Sequence, residues 1–305
     1  MHRTLGRFIR LSATAALLTA GPLYAAGPAV QSERLTYQVM LGGLHIGDAL
    51  VALEQTESGY SSEMKMTARG VVSWVQNFRA DIKGQGSFIR NAAANGGIEL
   101  LPQPAAFNRQ WSTGEIASEM TMTFDPLTRD ISINERLFNP LTGAVLARED
   151  MPWNNRREKQ KPVPMDLRKN ALDPMAAFIA ARTQILAQGV TGSTPKTFRV
   201  PIYDGSRRYD IVGRSAPARM ITINNVERLL MPLTAKVEPV FGFNRQSMKR
   251  MEESEGKFLF TPDDRLIPVQ LIVGSDMLTS VMNLTADCRE DAAPCDTFGQ
   301  TAAAD

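Results

Sequence analysis

The sequence predicts a mainly β protein: a single large antiparallel sheet curled into an open barrel or spiral, with one or two helices packed in its concave face. Three observations carry that expectation. Apolar and polar residues alternate with period two in short segments from residue 34 to residue 286, turn residues separate those segments at hairpin spacing, and only two stretches switch to a helical period.

Residues 1–25 stand apart from the rest. Arg3, Arg7 and Arg10 precede the apolar run Leu11–Ala20, the helix breaker Gly21-Pro22 and the small-residue end Ala25-Ala26. That is the order of a secretory signal peptide, and the run is too short to span a bilayer unaided. The expectation is export to the periplasm, with cleavage near Ala25-Ala26 and a single domain over residues 26–305.

From Arg34 onward, Leu35, Tyr37, Val39 and Leu41 share one strand face. After the glycines of Leu41–Gly47, Ala49, Val51 and Leu53 share another, and beyond the turn Ser58-Gly59 the alternation resumes with Met64, Met66 and Ala68. Val71, Trp74, Val75 and Phe78 then fall at i, i+3, i+4 and i+7, the stripe of a short amphipathic helix. Strands are expected at 79–89, 107–111, 116–124 and 130–137, with the Gly-rich loop 91–97 and Pro102/Pro104 outside them. Residues 139–168, with four prolines, predict an extended, exposed connection between halves at about 34–138 and 170–286.

Asp173-Pro174 marks the clearest helix: an acidic N-cap followed by a proline whose missing N–H is not needed there. Its body, Met175–Leu186, is Ala-rich and apolar almost all round, which implies burial on more than one side, and Gly189 ends it. Asp204-Gly205-Ser206 between Thr197–Tyr203 and Arg207–Val212 predicts a hairpin. Further strands are expected at 218–223, 229–237, 257–261, 269–273 and 278–286, with a turn at Pro262–Arg265 and a flexible tail over 287–305.

The whole chain carries 34 Lys+Arg against 32 Asp+Glu. Losing the three arginines of the first 25 residues leaves 31 against 32, a net charge of −1, so no basic face for nucleic acid is implied. His45 is the only histidine after His2, which leaves no multi-histidine metal site and one imidazole for any catalytic triad. Its Gly-punctuated surroundings suit a partly exposed turn residue. The serines lack a Gly-x-Ser-x-Gly elbow, no phosphate loop occurs, and the glycines at 42, 43 and 47 precede a strand rather than a helix. Asp263-Asp264 is the nearest thing to a carboxylate pair, in a turn where adjacent side chains usually diverge. No catalytic residue, metal ligand or cofactor is therefore assigned.

Cys288 and Cys295 are the only cysteines, with six residues including Pro294 between them, and in an oxidising compartment they are expected to form a local disulfide. The chain-entropy model gives such a ring about 2.5 kcal/mol, stapling the tail rather than organising the fold. Two features suit a binder. Met64, Met66, Met120 and Met122 put flexible side chains at strand-alternating positions, with Trp74, Phe78 and Phe178 as aromatic companions, a surface suited to acyl chains; ordinary core filling explains them too. Arg156, Arg157, Lys159 and Lys161 lie in a segment, 156–169, with six basic residues against two acids, suited to phosphate groups, or simply solvated.

Four segments together resemble the exported bacterial domain-of-unknown-function family 3108. They are Tyr37–Ala49, Leu172–Phe178 (Leu-Asp-Pro-Met-Ala-Ala-Phe), Val200–Asp210 (Val-Pro-Ile-Tyr-Asp-Gly-Ser-Arg-Arg-Tyr-Asp) and Thr261–Val269 (Thr-Pro-Asp-Asp-Arg-Leu-Ile-Pro-Val), in the expected order. The resemblance implies a periplasmic β-rich protein, with a curved open sheet like those of envelope lipoprotein carriers, and transfers no catalytic residue. Many members of that family carry a cysteine in the second-half strands, whereas Met220–Val226 has none here.

The function expected is non-catalytic: cell-envelope maintenance by holding a lipid, lipoprotein or protein partner in or on the curled sheet, with peripheral membrane contact. The alternatives are an envelope hydrolase using carboxylates, and a scaffold that meets partners at its sheet edges.

Overall fold

The computed structural model describes residues 31–70, 77–92, 98–147, 162–190, 193–244, 247–249, 251, 254–275, 278–289 and 291–298. Its strands are β1 (Gln31–Leu41), β2 (Leu44–Gln55), β3 (Gly59–Ala68), β4 (Arg79–Ala92), β5 (Ile98–Ser112), β6 (Ala117–Phe124) and β7 (Ile131–Phe138) in the first half. The second half holds β8 (Thr197–Tyr203), β9 (Arg208–Ser215), β10 (Arg219–Ile223), β11 (Val226–Phe241), β12 (Glu255–Phe260), β13 (Pro268–Ser275) and β14 (Leu278–Asp287). The helices include the one-turn α1 (Met165–Arg168), α2 (Pro174–Ala187) and the one-turn α3 (Ala293–Asp296), and the described residues 247–249 and 251 are helical as well.

All fourteen strands join one antiparallel sheet in the order β7-β6-β5-β4-β3-β2-β1-β14-β13-β12-β11-β9-β8, with β10 paired to β11 off that path. Each half is a local meander, because short turns can only return the chain antiparallel. The two meanders meet where β1 pairs with β14, Tyr37 opposite Leu284. The sheet is mainly antiparallel β and does not close into a barrel, since the terminal strands β7 and β8 are not hydrogen-bonded to each other.

Period two decides what faces inward. Opposite residues on antiparallel strands share a face, so the row Tyr37, Ala49, Met66 and Ala80 lies together across β1–β4, and Tyr37, Val39 and Ala49 are buried with Leu35 and Ile267. Helix α2 lies in the concavity. Ala176 and Ile179 pack on Leu53 and Tyr60 of the first half, while Ala177, Ala180 and Ile185 pack on Phe198, Val200, Ile202 and Leu233 of the second. An alanine-rich, doubly buried helix suits that position because a bulkier one would hold the two halves apart. Gly84 lets the helix approach: a Cβ there would lie 3.0 Å from Met175 Cβ and 2.9 Å from Ser62 Oγ.

Three expectations need correction. Pro102 and Pro104 lie inside β5, which runs from Ile98 to Ser112. They are tolerated because β6 pairs only with residues 106–112, so the prolines occupy a stretch with a sheet neighbour on one side alone. The connection 139–168 is not exposed at its end: Val163 is buried beside Phe107 and Met122, and α1 follows it, because Arg168 Nε donates to the Val163 carbonyl at 2.6 Å. Strand β11 extends to Val226–Phe241, well beyond 229–237, because its two ends pair with different neighbours, β10 and β9. The amphipathic helix expected over 71–78 falls mostly on residues 71–76, outside the described residues, and so do Trp74, Arg156, Arg157, Lys159 and Lys161.

Candidate functional site

The site is an apolar hollow between α2 and the strands of the second half. Asp173 starts it. Its Oδ1 accepts from Met175 N at 2.8 Å and Ala176 N at 3.0 Å, which fixes the first turn of α2, and Leu172 brackets the edge of β8 by donating its N–H to Pro201 O and accepting from Tyr203 N, both at 2.9 Å. The helix is thereby held against β8 at its start. Asp173 is fully buried, and that burial pushes its carboxyl up to about 6, against the backbone N–H bonds that pull it down; Oδ2 has no partner. Tyr60 OH, also buried and without a partner, is pushed up as well, first by burial and then by the charge of Asp173.

Further along α2, Ala177, Phe178, Ala181 and Ile185 form one wall of a cavity of about 160 Å³. Phe198 and Ile202 of β8, Leu233 of β11, Phe258 and Phe260 of β12, and Leu271 of β13 form the other. Leu266 closes one end. Its φ of +43° is costly for a leucine, and Asp263 holds it: Oδ1 accepts Leu266 N and Arg265 N, each at 3.1 Å, and the Thr261 hydroxyl at 2.7 Å. The turn thus puts Leu266 into the hollow and Ile267 into the core next to Tyr37.

Arg182 is the single charged residue of the lining. Its guanidinium turns to Glu33 of β1 in a two-fold grip of 2.8 and 2.7 Å, both side chains almost wholly buried. Arg265 Nε lies 3.8 Å from the same Glu33, and Arg265 Nη1 donates to Asp287 Oδ2 at 2.5 Å. Burial alone would push the Asp287 carboxyl up; the bonds from Arg265 and Arg289 N outweigh it and hold the group below its ordinary range. Two positive and two negative groups alternate, so the polar end of the hollow is internally neutral. Nothing in the lining offers an unpaired charge to a ligand, and the chemistry available is burial of apolar surface.

Three other hollows are larger: one of about 350 Å³ is lined by Met66, Ala80 and Trp111 together with Lys65, Arg79 and Asp81, one of about 360 Å³ by polar and charged residues such as Glu54, Glu63 and Lys83, and one of about 240 Å³ by Leu101, Pro104, Phe124, Ala180 and Val200 between β5 and the start of β8.

Of the apolar residues named from sequence, Phe178 lines the cavity. Met120 and Met122 are fully buried instead in a separate core with Phe107, Ile131 and Tyr203, under the β8–β9 turn, where Gly205 leaves room for Met120 Sδ. Met66 packs against the cluster around Tyr37, while Met64 is half-buried on the same face of β3. Phe78 is half-buried just before β4, its carbonyl accepting from Ala68 N. What the sequence did not single out are the residues that make the hollow, above all Ala181, Phe198 and Arg182. The all-round apolar character of α2 was the one local signal of it.

Cys288 and Cys295 form a disulfide. The loop it closes is docked on β1 by Cys288 N donating to Arg34 O at 2.9 Å and by the Arg34–Asp296 ion pair at 3.0 Å. His45 Nε2 lies 2.8 Å from Asp48 Oδ1 and 3.1 Å from Gly47 O, and Asp48 in turn accepts from Arg69 Nε at 2.7 Å, a local surface network. Asp263 and Asp264 are both exposed, the first occupied by its own turn. Among the described residues no group of three His, Cys, Asp or Glu side chains could hold a metal ion, and no helix is long and apolar enough to cross a membrane.

Fold and site together define an open antiparallel sheet wrapped around a buried helix, with an apolar hollow between them. The chain belongs to the family of proteins of unknown function called DUF3108, whose family model matches residues 36–285. No curated protein matches it. Among solved structures it is similar to a β-barrel-like protein of the domain of unknown function DUF1849 from Brucella abortus, at 10% identity and a TM-score of 0.48, over 84% of this chain and 98% of that one.

Proposed function

We propose that the protein is a non-catalytic binding protein of the periplasm that holds the apolar end of a lipid, lipoprotein or protein partner between α2 and strands β8–β13. The observation that carries this reading is the cavity itself: about 160 Å³ walled almost entirely by aliphatic and aromatic side chains, its one charge already neutralised by Glu33. The N-terminal order of arginines, apolar run and small residues supports the location.

Size limits the occupant. An engineered cavity of about 150 Å³ accepts benzene, and complete small-molecule sites span about 300–1,000 Å³. The hollow therefore suits the tip of an acyl chain or one large side chain, and a whole lipid would require α2 to shift away from the sheet.

The test is mass spectrometry of organic extracts from protein purified out of periplasm, for the wild type and for Ala181→Leu, which fills the hollow from the helix side. A bound apolar species is expected with the wild type and its loss with the variant. Extracts with nothing above background, or the same species at the same level in both, would sink the reading.

A further inference from the structure

The hollow of about 240 Å³ lies in the opening of the sheet, between the stretch of β5 that β6 leaves unpaired and the terminal strand β8. It meets a different face of α2 from the first cavity: Ala180 and Gln184 line it, where Ala177, Ala181 and Ile185 line the other. Its walls are apolar. Pro102 and Pro104 of β5, Ala180 of α2 and Val200 of β8 are buried there, and Phe124 at the end of β6 is half-buried.

Asp125, Arg129, Asn170 and Gln184 are the polar part of the lining. Two of them are already engaged. Asp125 Oδ1 accepts from Leu127 N at 2.8 Å and Thr128 N at 2.7 Å, and Gln184 exchanges hydrogen bonds with the backbone of Arg199, donating to its carbonyl at 3.4 Å and accepting from its N–H at 3.2 Å. The side chains of Arg129 and Asn170 make no hydrogen bond or ion pair among the described residues. Arg129 is half-buried and Asn170 exposed, so both donors stand at the mouth with the apolar walls behind them.

Each of the two has a left-handed backbone with φ of 62°. Arg129 ends the β6–β7 turn, its N–H donating to Asp125 O at 3.0 Å, in a conformation that glycine adopts without the cost of a Cβ. The turn would be served better by glycine, so the turn does not explain the arginine. A guanidinium offers a planar fork that matches a carboxylate, and an amide N–H adds a further donor. One positive charge, with Asp125 in the same lining, suits a singly charged anion better than a phosphate monoester of about two charges. The space falls short of the roughly 300–1,000 Å³ of complete small-molecule sites, which fits one short chain and not a two-chain lipid.

We propose that this hollow is a second binding site, for a medium-chain fatty acid, with the carboxylate on Arg129 and Asn170 and the chain against Pro104, Phe124 and Ala180. It is separate from the cavity beside Phe258 and does not depend on the reading of that cavity.

Isothermal titration calorimetry of the full chain with octanoate tests this. Octanoate is expected to bind, hexanoate roughly 15-fold more weakly for its two missing methylenes, and octanol roughly 30-fold more weakly for the lost charge-assisted bonds. Arg129→Gly should weaken octanoate by the same roughly 30-fold, and Arg129→Lys, which keeps the charge, should retain most of the affinity. A melting temperature of Arg129→Gly no lower than that of the wild type shows that the variant is folded, since glycine relieves the left-handed backbone. Ala181→Leu, which fills the other cavity, should bind octanoate as the wild type does. No binding by the wild type, octanol as tight as octanoate, equal binding by Arg129→Gly, or loss of binding in Ala181→Leu would overturn the proposal.

Discussion

Arg182, halfway along α2, grips Glu33 at the start of β1 through two hydrogen bonds of 2.8 and 2.7 Å, across 149 residues of sequence and out of contact with water. The pair ties the buried helix to the strand on which the two halves of the sheet meet, and it borders the apolar hollow. Breaking one side of such a pair leaves a buried charge without compensation. Arg182→Met should lower the unfolding free energy by about 3–5 kcal/mol in urea titrations, with Arg182→Met/Glu33→Leu recovering most of that loss. If the double variant is as unstable as the single one, the pair holds the fold through geometry that an apolar substitute cannot supply.

Asp173 makes stability depend on pH in the direction opposite to an ordinary paired carboxylate. Its folded-state value of about 6 lies above the ordinary 3.8, because burial penalises the ion more than the two N–H bonds favour it. Between those values the folded state holds the proton more tightly, so the contribution is fully present below about pH 4 and lost as pH rises through about 6. At roughly 1.4 kcal/mol per pH unit the loss approaches about 3 kcal/mol. Asp173→Asn keeps an acceptor for Met175 N and Ala176 N and does not titrate, so it should be more stable than the wild type at pH 7 and nearly equal at pH 4. Melting temperatures of both proteins across that range decide the point.

The methionines separate by position. Met122 is fully buried with Phe107 and Tyr203, so Met122→Ala should cost about 2–5 kcal/mol. Met64, half-buried on β3, should cost about 1 kcal/mol or less when changed to alanine. Neither substitution should alter what co-purifies with the protein, because neither side chain lines the hollow.

Replacing both Cys288 and Cys295 with serine should cost at most about 2.5 kcal/mol, since the ring is short. The effect should be local. Hydrogen exchange should quicken at the backbone N–H of position 288, which donates to Arg34 O, and remain unchanged at Ala176 N in the first turn of α2.

Strand identity, the Asp173 cap and the hairpin at Asp204–Ser206 were legible in the residues themselves, because alternation, capping and turn chemistry act within a few positions of the chain. So was the double burial of α2, from its lack of a polar face. The inclusion of Pro102 and Pro104 in β5 was not, because it depends on where β6 stops pairing. Nor was the separation of Met120 and Met122 from the hollow, since identical alternation places a methionine in a filled core or at a cavity wall alike. The grip of Arg182 on Glu33, the left-handed Leu266 and the apolar hollow arise from contacts between segments remote in sequence. Period and propensity specify which face of each element turns inward; how completely the opposing faces fill the space between them is a property of three-dimensional packing alone.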